Sequence, residues 1–135
     1  MVGYALHWKS VGRDSMARIL VIDDDPRLRD LLHTVLQRKG HEVVLAETGS
    51  QGVERSRRRR PPVTILDLDL PELNGLAVLA QIGAIDPQAP VMILTGVGTK
   101  ADEHQARAWG VTDFLEKGFS LHALGGAMNQ VLSHV

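Results

Sequence analysis

Carboxylates, a hydroxyl and an amine stand where short apolar runs of this sequence end. Asp23 and Asp24 follow residues 19–22, Asp67 follows residues 63–66 with Asp69 just beyond it, Thr95 closes residues 91–95, and Lys117 follows residues 112–116. A single aspartate at the end of an apolar run is most simply a buried salt-bridge partner. Two acidic clusters at the ends of separate runs are harder to explain by structure, because adjacent like charges repel. Asp25 has a structural task of its own: followed by Pro26, it reads as a helix N-cap with proline at the first helical position. Asp23 and Asp24 are left over, and a cation would offset their repulsion. The chain has no cysteine and its histidines show no metal-ligand spacing. Oxygen-only ligands of this kind suit a hard ion that retains several waters, which points to Mg²⁺. Asp67 is then the reactive residue.

Elements that bring these residues together follow from hydrophobic pattern. Residues 19–22, 42–46, 63–66, 91–94 and 112–116 are short, largely apolar runs that read as strands, several of them too uniformly apolar for a sheet wet on one face. Helical patterns separate them. Leu28, Leu31, Leu32, Val35 and Leu36 repeat at helical spacing before Gly40; residues 50–58 carry Val53; Asn74 caps a helix with Leu76, Leu79 and Ile82. Residues 100–109 have a weaker stripe ending at Gly110, and the last helix carries Leu121, Leu124, Met128, Val131 and Val135. Alternating strands and helices predict an α/β fold: a doubly wound, five-stranded parallel sheet with helices on both faces. In such a sheet the carboxyl ends of the strands form the site, so Asp23, Asp24, Asp67, Thr95 and Lys117 converge on one edge.

Composition bounds the rest. A chain of 135 residues with 44% hydrophobic content suffices for one domain with a real core, and a formal net charge of -1 argues neither for nucleic-acid affinity nor for an acidic tail. The absence of cysteine excludes thiolate chemistry and is compatible with a reducing cytoplasm. No apolar stretch is long enough to span a membrane. Residues 1–15 lack both periodicity and the apolar segment of a secretory signal, so they read as a loosely ordered extension, with the domain occupying residues 16–135. Arg55 and Arg57 to Arg60 form a basic run before Pro61-Pro62, read as a solvated helix end whose cations complement the helix dipole. The histidines read as surface residues, and Trp109 as a packing residue.

In order and on these elements, the acidic pair Asp23-Asp24, the Asp67…Pro71…Asn74-Gly75 loop, Thr95 followed by a small residue, and Phe114 three residues before Lys117 resemble a response-regulator receiver domain of bacterial two-component signalling. The resemblance covers residues 17–135. It implies that Asp67 accepts a phosphoryl group from a sensor histidine kinase or a phosphotransfer protein. By the same resemblance Asp24 and Asp67 ligate Mg²⁺, Asp23 holds it through water, and Asp69 contributes its main-chain carbonyl. Lys117 and Thr95 would meet phosphoryl oxygens, and Phe114 would turn inward, reshaping the face of helix 4, strand 5 and helix 5 for an unknown downstream protein, an output domain or a second copy of the chain. Such a protein is a cytoplasmic signalling receiver rather than an enzyme, catalysing only its own phosphorylation and dephosphorylation, with no direct nucleic-acid or membrane contact.

One departure from the family pattern is Gly118, where proline after a cis bond is usual. Before glycine the cis form costs about 2.5 to 4 kcal/mol, so a trans bond is expected, with Lys117 still reaching the acidic edge and Gly118→Pro tightening the link to Phe114. Two other readings compete. Asp67-Leu68-Asp69 resembles the Asp-x-Asp signature of haloacid-dehalogenase phosphotransferases, but Pro71 and the upstream acidic pair do not suit that family. A degenerate receiver serving only as a docking module is opposed by the intact acidic residues, Thr95 and Lys117.

Overall fold

A computed structural model describes residues 17–96, 100–111 and 113–133, the side chains of residue 95 and residues 100–102 excepted. The strands are β1 (Arg18–Ile22), β2 (Glu42–Ala46), β3 (Val63–Asp67), β4 (Val91–Thr95) and β5 (Asp113–Glu116). They alternate with helices α1 (Pro26–Arg38), α2 (Gly49–Arg59), α3 (Gly75–Ile85), α4 (Lys100–Ala108) and α5 (Leu121–Leu132). All strand pairings are parallel, in the order β2-β1-β3-β4-β5. The expected doubly wound α/β sheet is therefore the one observed.

The alternation of side chains along each strand divides the core in two. Ile19, Val21, Val63, Ile65, Met92, Leu94 and Leu115 face α1 and α5, where Leu32, Leu36, Leu124, Met128 and Val131 cover them. Leu20, Ile22, Leu66 and Ile93 face the other way, onto Val53 of α2, Leu76, Val78, Leu79 and Ile82 of α3, and Ala106 of α4. Both faces being covered explains why the strands read as continuous apolar runs. Fully burying a leucine such as Leu32 or Leu36 stabilises the fold by roughly 1.5–3 kcal/mol.

The helix ends follow their sequence signals. The Asp25 carboxylate accepts from the Arg27 N–H at 2.9 Å, Asn74 caps α3 through the Leu76 N–H, and Ser120 caps α5 through the Ala123 N–H. Thr48 caps α2 through the Gln51 N–H, which sets its start one residue earlier than the pattern suggested. Gly40 and Gly110 take positive φ just beyond α1 and α4.

Some expected core positions are not in the core. Leu31 is 42% exposed, because on α1 it lies at the margin of the stripe formed by Leu28, Leu32, Val35 and Leu36. Leu121 is 59% exposed as the first residue of α5, ahead of the turns that pack on the sheet. Trp109, expected to pack, is 46% exposed in the turn after α4, whose only buried side chain among the described ones is Ala106. Residues 1–15, Thr112 and Val135 lie outside the described residues.

Candidate functional site

The carboxyl ends of β1, β3 and β5 bring four sequence-predicted residues, Asp23, Asp24, Asp67 and Lys117, into one constellation. Asp67 ends β3 and is fully buried; its Oδ1 accepts from the Asp69 N–H at 2.9 Å, and its Oδ2 accepts from the Lys117 ammonium at 2.8 Å. Asp23 follows β1 and is also fully buried. Its N–H donates to the Ala46 carbonyl at 3.1 Å, and its Oδ1 accepts from the Asp25 N–H at 2.8 Å. Asp23 Oδ2 has no hydrogen-bond partner among the described residues, and the Lys117 Nζ stands 3.7 Å away. Asp24 is exposed, yet one carboxylate oxygen from each of Asp23, Asp24 and Asp67 lies within 4.8 Å of the others.

This arrangement fits a hard divalent cation. The donors are all oxygens, and a buried carboxylate oxygen without a hydrogen-bond partner is what an ion would satisfy. Asp69 enters through its main-chain N–H on Asp67, while its exposed carboxylate lies outside the three-residue cluster.

Electrostatics agree with crowding. Burial, aided by repulsion from Asp67 and Asp24, pushes the Asp23 carboxyl up to about 6 despite the Asp25 N–H and the Lys117 charge. Burial likewise raises Asp67, against the opposing Lys117 hydrogen bond and Asp69 N–H. Burial would lower Lys117, but its hydrogen bond to Asp67 and the charges of Asp23 and Asp24 outweigh that and hold it above the usual lysine value. The amine stays protonated at neutral pH.

Gly75 shapes the loop after Asp67. A Cβ there would sit 2.4 Å from the Leu68 Cα and 2.6 Å from its carbonyl oxygen, a contact with backbone that cannot yield. The Gly75 N–H donates to that same carbonyl at 3.2 Å, closing the loop. The peptide after Lys117 is trans, and Gly118 turns at φ +89. Both the trans bond and the reach of Lys117 to the acidic edge agree with the sequence reading.

Thr95 is the last residue of β4, paired with Glu116, and its side chain lies outside the described residues. Phe114 is half-buried on β5 against the core of the α2, α3 and α4 face, and the Arg107 guanidinium lies over its ring, 4.4 Å from the centroid.

Two residues of consequence escaped sequence reasoning. Arg29 looks like an ordinary polar residue of an amphipathic helix, but its guanidinium reaches back to the Asp23 carbonyl at 2.8 Å. His41, expected at the surface, is buried, and its Nδ1 accepts from the Ala17 N–H at 3.2 Å because the chain entering β1 lies against the turn before β2. The basic run is solvated but internally paired. Arg57 and Arg58 meet Glu54, Arg59 meets Glu42, and Arg60 donates to the Ile85 carbonyl.

Comparison with known proteins converges on the same reading. Residues 19–129 match the family described as response regulator receiver domain. Over 116 residues the chain is 37% identical to the transcriptional regulatory protein GlrR of Escherichia coli (strain K12), covering 86% of this chain and 26% of that one. It thus spans about a quarter of GlrR. Over 117 residues it is 32% identical to the chemotaxis protein CheY of Bacillus subtilis (strain 168), covering 86% of this chain and 98% of that one. The crystal structure of a CheY-like response regulator receiver domain protein from Methanospirillum hungatei JF-1 superposes with a TM-score of 0.84 at 22% identity, covering 87% of this chain and 94% of that one, a likeness of fold. Among the described residues no helix is long and apolar enough to cross a membrane.

Proposed function

We propose a function for a chain that belongs to the response regulator receiver domain family: it accepts a phosphoryl group on Asp67 in a Mg²⁺-dependent reaction and thereby switches its α4-β5-α5 face to control a partner. The observation that carries this reading is the Lys117 ammonium bound to Asp67 Oδ2 at 2.8 Å, beside a buried Asp23 oxygen with no hydrogen-bond partner among the described residues.

In the transfer, an Asp67 carboxylate oxygen attacks the phosphorus of a phosphohistidine on a sensor kinase or phosphotransfer protein. A P–O bond forms, the P–N bond breaks, and the imidazole leaves with the electron pair. Little covalent assistance is needed, so the protein's task is positioning and charge neutralisation. Burial raises the basicity of Asp67, and the Asp69 N–H and Lys117 orient its two oxygens. Asp23, Asp24 and Asp67, with the Asp69 main-chain carbonyl, would hold Mg²⁺, which when bound supplies positive charge to the transferring phosphoryl oxygens. Lys117, already protonated, pairs with a phosphoryl oxygen once Asp67 carries the acyl phosphate. The Thr95 hydroxyl takes another oxygen, and Phe114 turns inward.

The chain acts on itself alone and turns over no other substrate. We read residues 16–135 as the receiver unit and the cytoplasm as its compartment. GlrR and CheY are named for transcriptional regulation and chemotaxis, so the output is set by what the switched face selects: a downstream protein, an output domain or a second copy.

Acetyl phosphate labelling, read by intact mass, tests the core of the reading. Wild type is expected to gain one phosphoryl group only with Mg²⁺, and Asp67→Asn none. Labelling of Asp67→Asn to the wild-type extent would overturn it.

A further inference from the structure

Arg29 lies on α1, six residues beyond Asp23, and turns back toward the acidic edge. Its Nη1 donates to the Asp23 carbonyl at 2.8 Å, its Nη2 stands 3.6 Å from Glu47 Oε2, and its side chain is only 15% exposed. It is not a ligand of the cluster formed by Asp23, Asp24 and Asp67. The carbonyl it holds belongs to the peptide joining Asp23 to Asp24.

That peptide decides where Asp24 goes. Asp23 is anchored by its N–H on the Ala46 carbonyl and by its Oδ1 on the Asp25 N–H. Asp24 is exposed, so its place depends on the orientation of the peptide that carries it. Two neighbouring carboxylates favour any rotation that separates them. A guanidinium on the Asp23 carbonyl opposes that rotation through a charge-assisted hydrogen bond, and the second arm of its fork on Glu47 ties the turn after β1 to the turn after β2. Glu47 is 60% exposed, so its ion pair adds orientation more than energy.

We infer that Arg29 is a positioning residue for the acidic pair, holding the Asp23–Asp24 peptide so that Asp24 faces the cation site. The inference rests on the Mg²⁺-dependent reading above. It also predicts the opposite sign from simple electrostatics: removing a nearby positive charge should tighten cation binding, whereas releasing the peptide should weaken it.

The test uses the full chain as wild type, Arg29→Met, Arg29→Lys and Glu47→Gln. Mg²⁺ affinity is measured by calorimetry, and amide hydrogen exchange at Asp24 and Asp25 is measured by NMR in the metal-free protein. Arg29→Met is expected to bind Mg²⁺ about tenfold more weakly, in the range for loss of a supporting partner behind a metal ligand, and to exchange faster at Asp24. Arg29→Lys, which keeps the charge and loses the fork, is expected to fall between, and Glu47→Gln closer to wild type. Mg²⁺ affinity unchanged or raised in Arg29→Met would overturn the inference. Should that variant not fold, unchanged affinity and exchange in Arg29→Lys would overturn it equally. A wild type that binds no Mg²⁺ would instead sink the functional reading on which it rests.

Discussion

Lys117 reaches Asp67 across fifty residues of sequence, at 2.8 Å, from a turn in which the next residue, Gly118, has φ +89. The ammonium is placed by a left-handed glycine following a trans peptide. A Cβ at Gly118 would meet nothing within 4 Å among the described residues, so the cost of substitution there is conformational rather than steric. Gly118→Ala should destabilise the protein by about 1–2 kcal/mol. Gly118→Pro should do worse, since proline holds φ near -65°, and it should displace Lys117 rather than tighten its link to Phe114 as the family pattern suggested. Urea unfolding measures the first effect, and loss of acetyl phosphate labelling the second. A Gly118→Pro protein of wild-type stability and reactivity would contradict this account of the turn.

Asp23 makes metal-free stability depend on pH. Its carboxyl is raised from 3.8 to about 6, chiefly by burial, so the folded state favours its protonated form. The stability this contributes is complete below pH 3.8 and is lost as pH rises through about 6. The loss is at most about 3 kcal/mol, and less where water reaches the carboxylate. His41 works in the other direction: burial, and then the Lys39 charge, lower its value below 6.5, so its contribution falls as pH drops. The useful quantity is therefore the difference between wild type and Asp23→Asn. In chelator, Asp23→Asn should be the more stable of the two at pH 7 and lose that advantage toward pH 4. Wild type should recover part of the gap on adding Mg²⁺. A difference independent of pH between 4 and 7 would refute the assignment.

Thr64, the second residue of β3, carries a fully buried hydroxyl with no hydrogen-bond partner among the described residues. Thr64→Val keeps the branched shape and removes the unsatisfied group. It should stabilise the protein by about 1 kcal/mol. Equal or lower stability in denaturant unfolding would indicate that the hydroxyl is satisfied after all.

The residues that sequence alone disclosed share a property: Asp23, Asp24, Asp67 and Lys117 have chemically distinctive side chains at the ends of apolar runs, and the winding rules of a parallel sheet bring such ends together. Arg29 carried no such mark, because its role depends on a side chain turning back six residues, which helical periodicity does not encode. Gly75 was visible as a loop glycine, but its necessity comes from the Leu68 main chain 2.4 Å from where its Cβ would be. Leu31, Leu121 and Trp109 were misplaced for a related reason. Apolar character places a residue on an element, while exposure depends on how far the neighbouring elements extend over it.

Arg107 should bias the orientation of Phe114. Its guanidinium lies 4.4 Å from the ring centroid and is steadied by Glu103, with Nη2 at 3.0 Å and Nε at 3.3 Å from Oε1. An inward turn of the ring, as proposed for the phosphorylated state, would give up this contact. A cation–π contact at a partly exposed site is worth roughly 0.5–1 kcal/mol, so its loss corresponds to about a two- to fivefold shift in the balance of two ring orientations. Arg107→Ala should therefore favour the inward ring and, by linkage, bind a phosphoryl mimic such as beryllium fluoride about two- to fivefold more tightly in the presence of Mg²⁺. Glu103→Gln should act in the same direction but less, since it loosens the guanidinium without removing it. A fluorinated phenylalanine at position 114 would report the ring populations by ¹⁹F NMR. Unchanged populations together with unchanged beryllium fluoride affinity in Arg107→Ala would show that the stacked arginine does not hold the ring.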